Sequence, residues 1–420
     1  MNDEKFYLGF NIGRDSSACV FSNVRGMLSY CPQFIFSGGD EFPFEAISVA
    51  VKESDASRID FAAFSANGEL DWDSMIADCT DESVQFLDSQ KARPTTITNK
   101  ILEAIYALLR AQEVPVKCKF LTRIEHHAAH EGCVFAYYGI SGSRLLITCD
   151  SGGDGIGGRI SYWNCGVRQI ISEIKDYDSP EFFKECFLDY AGTGYDSDAV
   201  ADVEYSNLVE RTFFNESTYS SGVSTGFVYK WYEFDEMIAE EPMDVHQTRK
   251  SIVQTAIRVW RLTNTLADTK VWIKSIVHVA LHMVSKWVGV VPERIRNDTN
   301  QRVYLIGSLF DSGSLEVAAA SDALAAHDVI KVPVSHDYSL SIGAAWNMAR
   351  IHSNSHGKEI SIPLVNHELV SKHFVVPKFE GDEMFEPAPP IDDAPPPIWS
   401  LERDEEQRLA YEEEIKNRGM

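Results

Sequence analysis

The sequence predicts an α/β fold of two lobes, with mixed sheets flanked by helices. Three regions repeat one pattern, an apolar strand that ends in a small, polar, glycine-containing turn, at 6–24, 144–163 and 303–314. Between them lie segments whose apolar residues recur every three or four positions, as on one face of a helix. Strands that alternate with such helices are typical of the α/β class.

The first two repeats are strand–turn–strand units of similar length, FYLGFNI-GRDSS-ACVFSNV and RLLITCD-SGGDG-IGGRISYW. They suggest an internal duplication whose turns face each other across a cleft, with the strand–turn–helix at 303–314 as a further wall. Spacing alone equally allows three unrelated hairpins. With a duplication, residues 1–140 form lobe I and 141–352 form lobe II, which carries a polar, Tyr-rich insertion at about 186–245.

Helices are predicted where the apolar spacing is clearest, at 42–53, 97–112, 252–266 and 271–287. After about residue 352 the composition changes, and PAPPIDDAPPPIW (387–399) is typical of an extended acidic linker. A polar helix is expected after it, so that 353–420 forms a linker and a C-terminal helix. This tail is either a solvated appendage or a segment that docks on a partner or on the chain itself.

Charge and cysteine content limit the function classes. The net charge of -25 argues against direct binding to a nucleic-acid backbone, which needs clusters of Lys and Arg. It fits small-molecule substrates or an acidic subunit of a complex. Eight cysteines without a C-x-x-C pair predict reduced thiols. The N-terminus lacks the pattern of a signal peptide, and the most apolar helix (277–291) is too short to cross a membrane, so we expect a cytoplasmic protein.

The clearest chemical motif is IEHHAAHEG (124–132). On a helix, His126 and His130 lie one turn apart on the same face and can hold one metal ion, whereas His127 points elsewhere. Imidazole ligands suit Zn, Fe, Ni and Cu alike, so the spacing does not choose the metal. Such a pair is also common in helices without any metal. Asp150, at the end of an apolar strand twenty positions later, is a candidate oxygen ligand.

Two further segments have structural as well as functional interpretations. The glycines of DSGGDG (150–155) allow backbone N–H groups to approach an anion closely, although Asp/Gly turns between strands are common. Asp337 precedes a helix of small residues in PVSHDYSLSIGAA (333–345), where by itself it would be an N-cap.

In this order, HHAAHEG (126–132), DSGGDG (150–155), GSLF (307–310) and PVSHDYSLSIGAA (333–345) resemble the motifs of the nodulation- and cephamycin-type O-carbamoyltransferases. The opening LGFNIGRDSSACVF (8–21) is similar to the first strand and turn of that family. The resemblance covers roughly residues 5–352. It implies an actin/sugar-kinase-like (ASKHA) fold, because the family's N-terminal domain is similar to the tRNA threonylcarbamoyladenosine enzyme.

The resemblance also implies a site. His126, His130, Asp150 and Asp337 would bind a divalent transition metal, Fe or Zn, next to carbamoyl-adenylate made from ATP. His127 and His130 would be catalytic, His127 by taking the proton of the acceptor hydroxyl or by steadying the oxyanion. The implied contacts to the nucleotide and the carbamoyl phosphate are Asp15, Ser16, Ser17, Gly152, Gly153, Asp154, Gly155, Gly307, Ser308 and Asp311.

Several departures from the family pattern leave three functions open. The basic residues expected near 31–43 are absent, Arg14 replaces a histidine, and GSLFDS (307–312) lacks a glycine and an asparagine. The adenylate-forming (YrdC-like) domain is also not expected in the residues after the match. The first function is carbamoyl transfer to a small molecule, sugar or hydroxymethylated nucleotide, with a separate subunit supplying the adenylate. The second is a catalytically silent subunit of a homologous carbamoyltransferase, and the third is a sugar-kinase-like phosphotransferase, against which the paired histidines argue.

Overall fold

The computed structural model describes residues 4–13, 16–32, 42–66, 97–175, 179–191, 201, 205–206, 269–298, 302–311, 315–333 and 336–355. The predicted helix at 252–266, nearly all of the predicted insertion beyond residue 191 and the predicted tail beyond residue 355 lie outside these ranges.

The first sheet is built from the N-terminal part of the chain. Its elements are β1 (Phe6–Ile12), β2 (Ser17–Ser22), β3 (Gly26–Pro32), α1 (Phe44–Glu53), β4 (Phe61–Ala66), α2 (Ile97–Ala111) and β5 (Leu121–Arg123). The first three strands form an antiparallel meander, and β4 and β5 add in parallel beside β1. The strand order is β3-β2-β1-β4-β5.

Helix α3 (His126–Tyr138) connects the first sheet to the second. The second part contains β6 (Ser143–Gly153), β7 (Ile156–Asn164), β8 (Val167–Lys175), α4 (Pro180–Ala191), α5 (Thr269–Val288), α6 (Glu293–Arg296), β9 (Arg302–Ile306), α7 (Ser308–Asp311), α8 (Leu315–Ala323), β10 (Asp328–Lys331) and α9 (His336–Ser355). Its strand order is β10-β9-β6-β7-β8. Again the first three strands are antiparallel and the last two join in parallel.

The two sheets therefore repeat one topology. In each, a three-stranded meander is followed by two parallel strands that are added on the other side of its first strand, with helices in the connections. The chain thus has the ASKHA fold, two mixed five-stranded sheets flanked by helices. This confirms the fold class that the sequence predicts.

Within the described residues, three hydrophobic cores hold the fold together. One lies between the first sheet and helices α1 and α2, and a second lies between the second sheet and helices α4 and α5. The third fills the space around α3 and α9, between the two sheets. In it α9 packs on β1, β2 and β4, whereas α3 packs mainly on β6 and β9 of the second sheet. The helix that follows the fifth strand of each half therefore covers the sheet of the other half.

Helices α3 and α9 cross in close contact because small residues meet at the crossing. A Cβ on Gly343 would lie 1.6 Å from the carbonyl oxygen of Ala129, and one on Gly132 would lie 2.7 Å from the carbonyl oxygen of Gly343. No larger residue fits there while the backbones keep these positions. The crossing brings the first turns of both helices next to the ends of strands β1 and β6.

The seven cysteines that the structure describes are all free thiols. Among the helices described, none is both long and apolar enough to cross a membrane.

Candidate metal centre

The N-terminus of α3 is fixed by carboxylates. Glu125 is the N-cap, and its two oxygens accept from the backbone N–H groups of His127 and Ala128 at 2.9 and 3.0 Å. Asp154 accepts from the N–H of His126 at 2.9 Å. These bonds satisfy the donors that a helix leaves open in its first turn. Arg159 holds Glu125 from the sheet side at 2.6 Å, so the first turn is tied to β7.

His126, His130 and Asp150 converge on one point between α3 and the end of β6. Nε2 of His130 lies 2.6 Å from Oδ2 of Asp150, and Nε2 of His126 lies 3.1 Å from the same oxygen. The two Nε2 atoms are 3.1 Å apart. All three side chains are buried, and they form the one group of potential metal ligands found among the described residues.

Two of the three separations fit a metal ion as well as a hydrogen-bonded cluster, whereas the 2.6 Å between His130 and Asp150 is the length of a hydrogen bond. Two ligand atoms bonded to one ion at about 2.1 Å lie about 3.0 Å apart at a right angle and about 3.4 Å apart at the tetrahedral angle. Both distances that involve His126, at 3.1 Å, fall within this range. The donor set of two imidazoles and one carboxylate suits Zn or Fe(II). We therefore judge that the residues present fit a divalent transition metal.

The electrostatics of the cluster favour an ionised carboxylate. Burial alone would raise the pKa of Asp150, but the charges and hydrogen bonds of His130 and His126 hold it well below its usual value. Oδ1 of Asp150 is also engaged, since it accepts from the backbone N–H of Ser308 at 2.8 Å. This bond leaves Oδ2 facing the two histidines as an anionic ligand atom.

Other side chains orient the three candidate ligands. Ser339, in the first turns of α9, lies with its hydroxyl 2.7 Å from Nδ1 of His130. The hydroxyl of Ser179 donates to the carbonyl oxygen of Asp150 at 2.5 Å. Gly153 packs against the ring of His126 so closely that a Cβ there would lie 2.4 Å from the ring carbons. Nδ1 of His126 is buried and has no hydrogen-bond partner among the described residues.

Asp337, the fourth predicted ligand, is the second residue of α9. Its side chain lies outside the described part of the structure, so its role as a ligand stays a prediction. Ser339 follows two residues later and contacts His130, so the backbone of Asp337 lies in the helical turn that borders the centre.

His127 is fixed in a structural role, which does not favour the predicted catalytic one. Its Nε2 lies 2.8 Å from the carbonyl oxygen of Ile156, and its Nδ1 lies 2.8 Å from the hydroxyl of Thr148. Because a carbonyl can only accept, Nε2 carries the proton and Nδ1 accepts from Thr148. Burial, with the nearby His126 and His130, lowers the pKa of His127 to about 3. Both ring nitrogens are thus engaged within the protein, which leaves neither of them free to accept a proton in this arrangement.

The predicted phosphate turn of β6 and β7 is used mainly to hold the centre. Asp154 caps α3 and pairs with Arg123 at 2.5 Å, so its carboxylate is already engaged. Gly153 packs on His126, as described above. Gly155 completes the tight turn at φ +81, and Gly152 precedes Gly153 on β6.

The other predicted nucleotide contacts lie on two neighbouring segments. The hydroxyl of Ser16 donates to the carbonyl of Gly13 at 2.7 Å, and that of Ser17 lies 2.9 Å from the hydroxyl of Ser341 on α9. Asp15 lies outside the described residues.

At the end of β9, Gly307 packs against the backbone of Cys149, and the buried hydroxyl of Ser308 has no hydrogen-bond partner among the described residues. Asp311 ends α7, and its carbonyl accepts from Lys331 at 2.9 Å. Of this segment, Ser308 therefore adjoins the centre directly, through its bond to Asp150.

Sequence reasoning did not identify Ser339, Thr148, Glu125 or Ser179. Ser339 is separated from His130 by 209 positions, and no local pattern links them. Glu125 immediately precedes the histidine helix, but glutamate is not among the preferred N-cap residues. The position of Thr148 near the site could have been predicted, because it lies two positions before Asp150 and therefore on the same face of β6.

No protein-family model matches the chain, and no curated protein sequence matches it. Solved structures do match over most of its length. The activator of the 2-hydroxyisocaproyl-CoA dehydratase from Clostridium difficile, with bound ADPNP, is 13% identical over 85% of this chain and 99% of that chain, with a TM-score of 0.39. The ROK hexokinase from Thermus thermophilus is 15% identical over 83% and 99%, with a TM-score of 0.36. HypF from T. kodakarensis is 13% identical over 82% of this chain and 47% of that chain, with a TM-score of 0.41. At these identities the similarity concerns the fold alone.

Proposed function

We propose that this chain is the transfer half of an O-carbamoyltransferase. It binds a divalent transition metal and moves a carbamoyl group from carbamoyl-adenylate to an acceptor hydroxyl, which loses its proton to solvent while AMP leaves. The observation that carries the proposal is the convergence of His126, His130 and Asp150 within 3.1 Å of one another. The sequence motifs that resemble the carbamoyltransferase family supply these same three residues.

The burial of the three groups supports a use for them. A carboxylate and two imidazoles withdrawn from water are costly unless their charges and hydrogen bonds are satisfied. The triad also has supporting contacts of the kind that metal sites have, from Ser339 to His130 and from Ser308 to Asp150.

In this proposal the residues of the chain have separate roles. A bound ion would act as a Lewis acid toward a carbonyl or phosphate oxygen. His126, His130 and Asp150 hold the ion, and Ser339 and Ser308 keep the ligands in place. His127 orients the first turn of α3 and takes no part in proton transfer.

The acceptor would be a hydroxyl of a small molecule, sugar or hydroxymethylated nucleotide. The net charge of -25 favours such an acceptor over a nucleic-acid polymer. A separate adenylate-forming subunit, or a homologous carbamoyltransferase, would supply carbamoyl-adenylate.

Metal analysis followed by a transfer assay tests the proposal. We expect about one transition-metal ion per chain after purification, and its loss in His126→Ala and Asp150→Asn. His127→Ala is the control on the same helix. His127 is not a proposed ligand, so this variant should retain the ion if the protein stays folded. With an adenylate-forming partner, ATP, carbamoyl phosphate and a panel of hydroxyl acceptors, mass spectrometry should detect a gain of one carbamoyl group. Metal-free protein that binds neither Zn²⁺ nor Fe²⁺ would refute the proposal.

A second candidate is a catalytically silent subunit that binds a homologous carbamoyltransferase. The engagement of both nitrogens of His127 favours it, because a general base is then lacking at the position where the resemblance implies one. This candidate predicts a stoichiometric complex with the homologue whose activity is unchanged by His126→Ala. Loss of activity in that variant would favour the transfer role instead.

A further inference from the structure

A cavity of about 260 Å³ lies between α3, α9 and the β7–β8 hairpin. Its lining includes Ala128, Glu131, Phe135, Trp163, Arg168 and Arg350. With 3.6 residues per turn, the α3 positions that line it lie on the face turned away from His126 and His130. The cavity is therefore separate from the candidate metal centre, although both are built on the same helix.

Two guanidinium groups gather at one aromatic ring of this cavity. The guanidinium carbons of Arg350 and Arg168 lie 5.0 and 5.8 Å from the centroid of Trp163. Glu131 is the one carboxylate in the lining, and it is buried and already accepts from Arg168 at 3.1 Å and from the Ser161 hydroxyl. With Glu131 ionised, the lining still carries one positive charge in excess. Such an arrangement favours a ligand with a negative charge.

Arg350 is the guanidinium group whose charge is least compensated. It donates to the carbonyl of Gly166 at 3.0 Å, and no carboxylate of the described residues forms an ion pair with it. Burial and the like charge of Arg168 lower the pKa of Arg350. Its other nitrogens are not among the fully buried polar atoms that lack a partner, so they keep surface that a ligand can reach. An anion beside Arg350 would therefore offset the cost of holding this charge partly out of water.

The remainder of the lining offers an apolar surface. The rings of Phe135 and Trp163 meet edge to face with their centroids 4.7 Å apart, and Ala128 contributes a methyl group. A ligand that uses the whole cavity therefore needs an apolar body as well as an anionic group. The volume is below the roughly 300–1,000 Å³ of sites for drug-sized ligands, so this ligand is smaller than a nucleotide.

We propose that this cavity binds a small monocarboxylate with an apolar body. The carboxylate pairs with Arg350 and Arg168, and the apolar body lies against Phe135 and Trp163. One negative charge balances the one positive charge in excess, and the planar fork of a guanidinium group matches the geometry of a carboxylate. The inference does not depend on the proposed carbamoyl transfer.

Calorimetric titration with matched probes tests this proposal. Benzoate and hexanoate carry both features, benzamide replaces the carboxylate of benzoate by a neutral amide, and acetate and inorganic phosphate lack the apolar body. We expect benzoate or hexanoate to bind with a Kd of about 1 mM or below, and the other probes to bind at least about tenfold more weakly. Absence of binding by both benzoate and hexanoate would overturn the proposal. Equal binding of benzamide, acetate or phosphate would overturn it as well.

Variants assign the binding to this cavity. Arg350→Met and Arg168→Met should each weaken the binding of the better carboxylate at least about tenfold. The Arg168 side chain is 35% exposed, so its loss should leave folding intact, which the melting temperature checks. Arg110→Met, at an exposed position of α2, is the matched control for the loss of one positive charge. Unchanged binding in Arg168→Met, an equal loss in Arg110→Met, or loss of binding in His126→Ala would place the ligand elsewhere and contradict the proposal.

Discussion

At the scale of single residues, Ser339 is suited to the two states of the centre. Without an ion, both histidines can donate from Nε2 to Asp150, and the hydroxyl of Ser339 then donates to Nδ1 of His130 at 2.7 Å. If Nε2 of His130 were a ligand of an ion, the ring proton would lie on Nδ1, and the same hydroxyl oxygen would accept a hydrogen bond from it. A hydroxyl serves both states because it can donate and accept.

Ser339→Ala should therefore weaken metal binding without emptying the site. Outer partners of metal-bound histidines typically contribute about 10–100-fold to metal affinity, and we expect a loss in that range. Competition with a chromophoric chelator, with Zn²⁺ as the probe, measures the change. Ser339→Thr keeps the hydroxyl and should restore most of the affinity.

Ser353→Ala is the control for this change. Ser353 is a buried serine on the same helix, and its hydroxyl donates to the carbonyl of Ala349 at 2.8 Å, far from the triad. If both alanine variants lose the same affinity, the effect comes from α9 as a whole and the orienting role of Ser339 is wrong.

The convergence of His126, His130 and Asp150 could be predicted because local geometry largely determines it. Helical spacing brings the two histidines to one face, and Asp150 ends the continuous buried run of the strand that follows. The partner of each histidine could not be predicted in the same way. The contact of His130 with Ser339 depends on how two helices cross, and the engagement of His127 depends on the carbonyl of Ile156 across a turn.

At the scale of elements, most strands with long apolar runs are predicted from the sequence, but the buried strand β4 and the short or exposed strands are not. Strands β1, β2, β6, β7 and β9 and helices α1, α2 and α5 agree with the sequence patterns. Strand β5 has three residues, too few to show any period. Strand β8 is exposed over its first half, so it lacks the apolar run that marks the central strands. Both lie at sheet edges, where one neighbour is missing.

Helices α4 and α8 are joined by a buried charge cluster that the sequence did not indicate. Lys184 lies 2.9 Å from Glu181 and 3.5 Å from Glu316, and all three side chains are at most 8% exposed. Burial raises the pKa of Glu181 to about 7, although Lys184 opposes the shift. The folded protein therefore holds this proton more tightly than the unfolded chain does.

The stabilisation that Glu181 gives to the folded state decreases as the pH rises. A carboxyl group with a raised pKa in the folded state stabilises that state most at pH values below 4.5, its ordinary pKa. Its contribution decreases as the pH rises to about 7, by at most about 3 kcal/mol. Glu181→Gln should remove this decrease. Urea unfolding of both proteins between about pH 5 and 8 measures the difference.

Asp322→Asn, at an exposed position of α8, is the control and should follow the pH profile of the unchanged protein. If the gap in unfolding free energy between the Glu181→Gln variant and the unchanged protein does not vary with pH, Glu181 does not titrate in this range and the prediction fails.

At the scale of the whole molecule, the duplicated topology explains where the centre lies. Each half contributes the helix that covers the other half's sheet, so the first turns of α3 and α9 meet between the two sheets. Histidines come from one helix, Ser339 comes from the other, and Asp150 comes from the second sheet. The repeat was suggested by two similar strand–turn–strand units, whereas the crossed packing of the helices depends on long-range contacts that no single segment encodes.

The crossing makes a last prediction possible, that Gly343→Ala disrupts both stability and the candidate metal centre. A Cβ there would meet the carbonyl oxygen of Ala129 at 1.6 Å, and neither atom can rotate away because one is attached to the backbone and the other belongs to it. The helices must separate, at a cost of about 3 kcal/mol or more. Because the same crossing sets the distance from Ser339 to His130, Zn²⁺ affinity should fall together with the melting temperature.

Gly289→Ala is the matched control, since its Cβ would have no neighbour closer than 3.1 Å. If Gly343→Ala has the melting temperature of the unchanged protein, or loses stability while keeping full Zn²⁺ affinity, the crossing does not set the geometry of the centre.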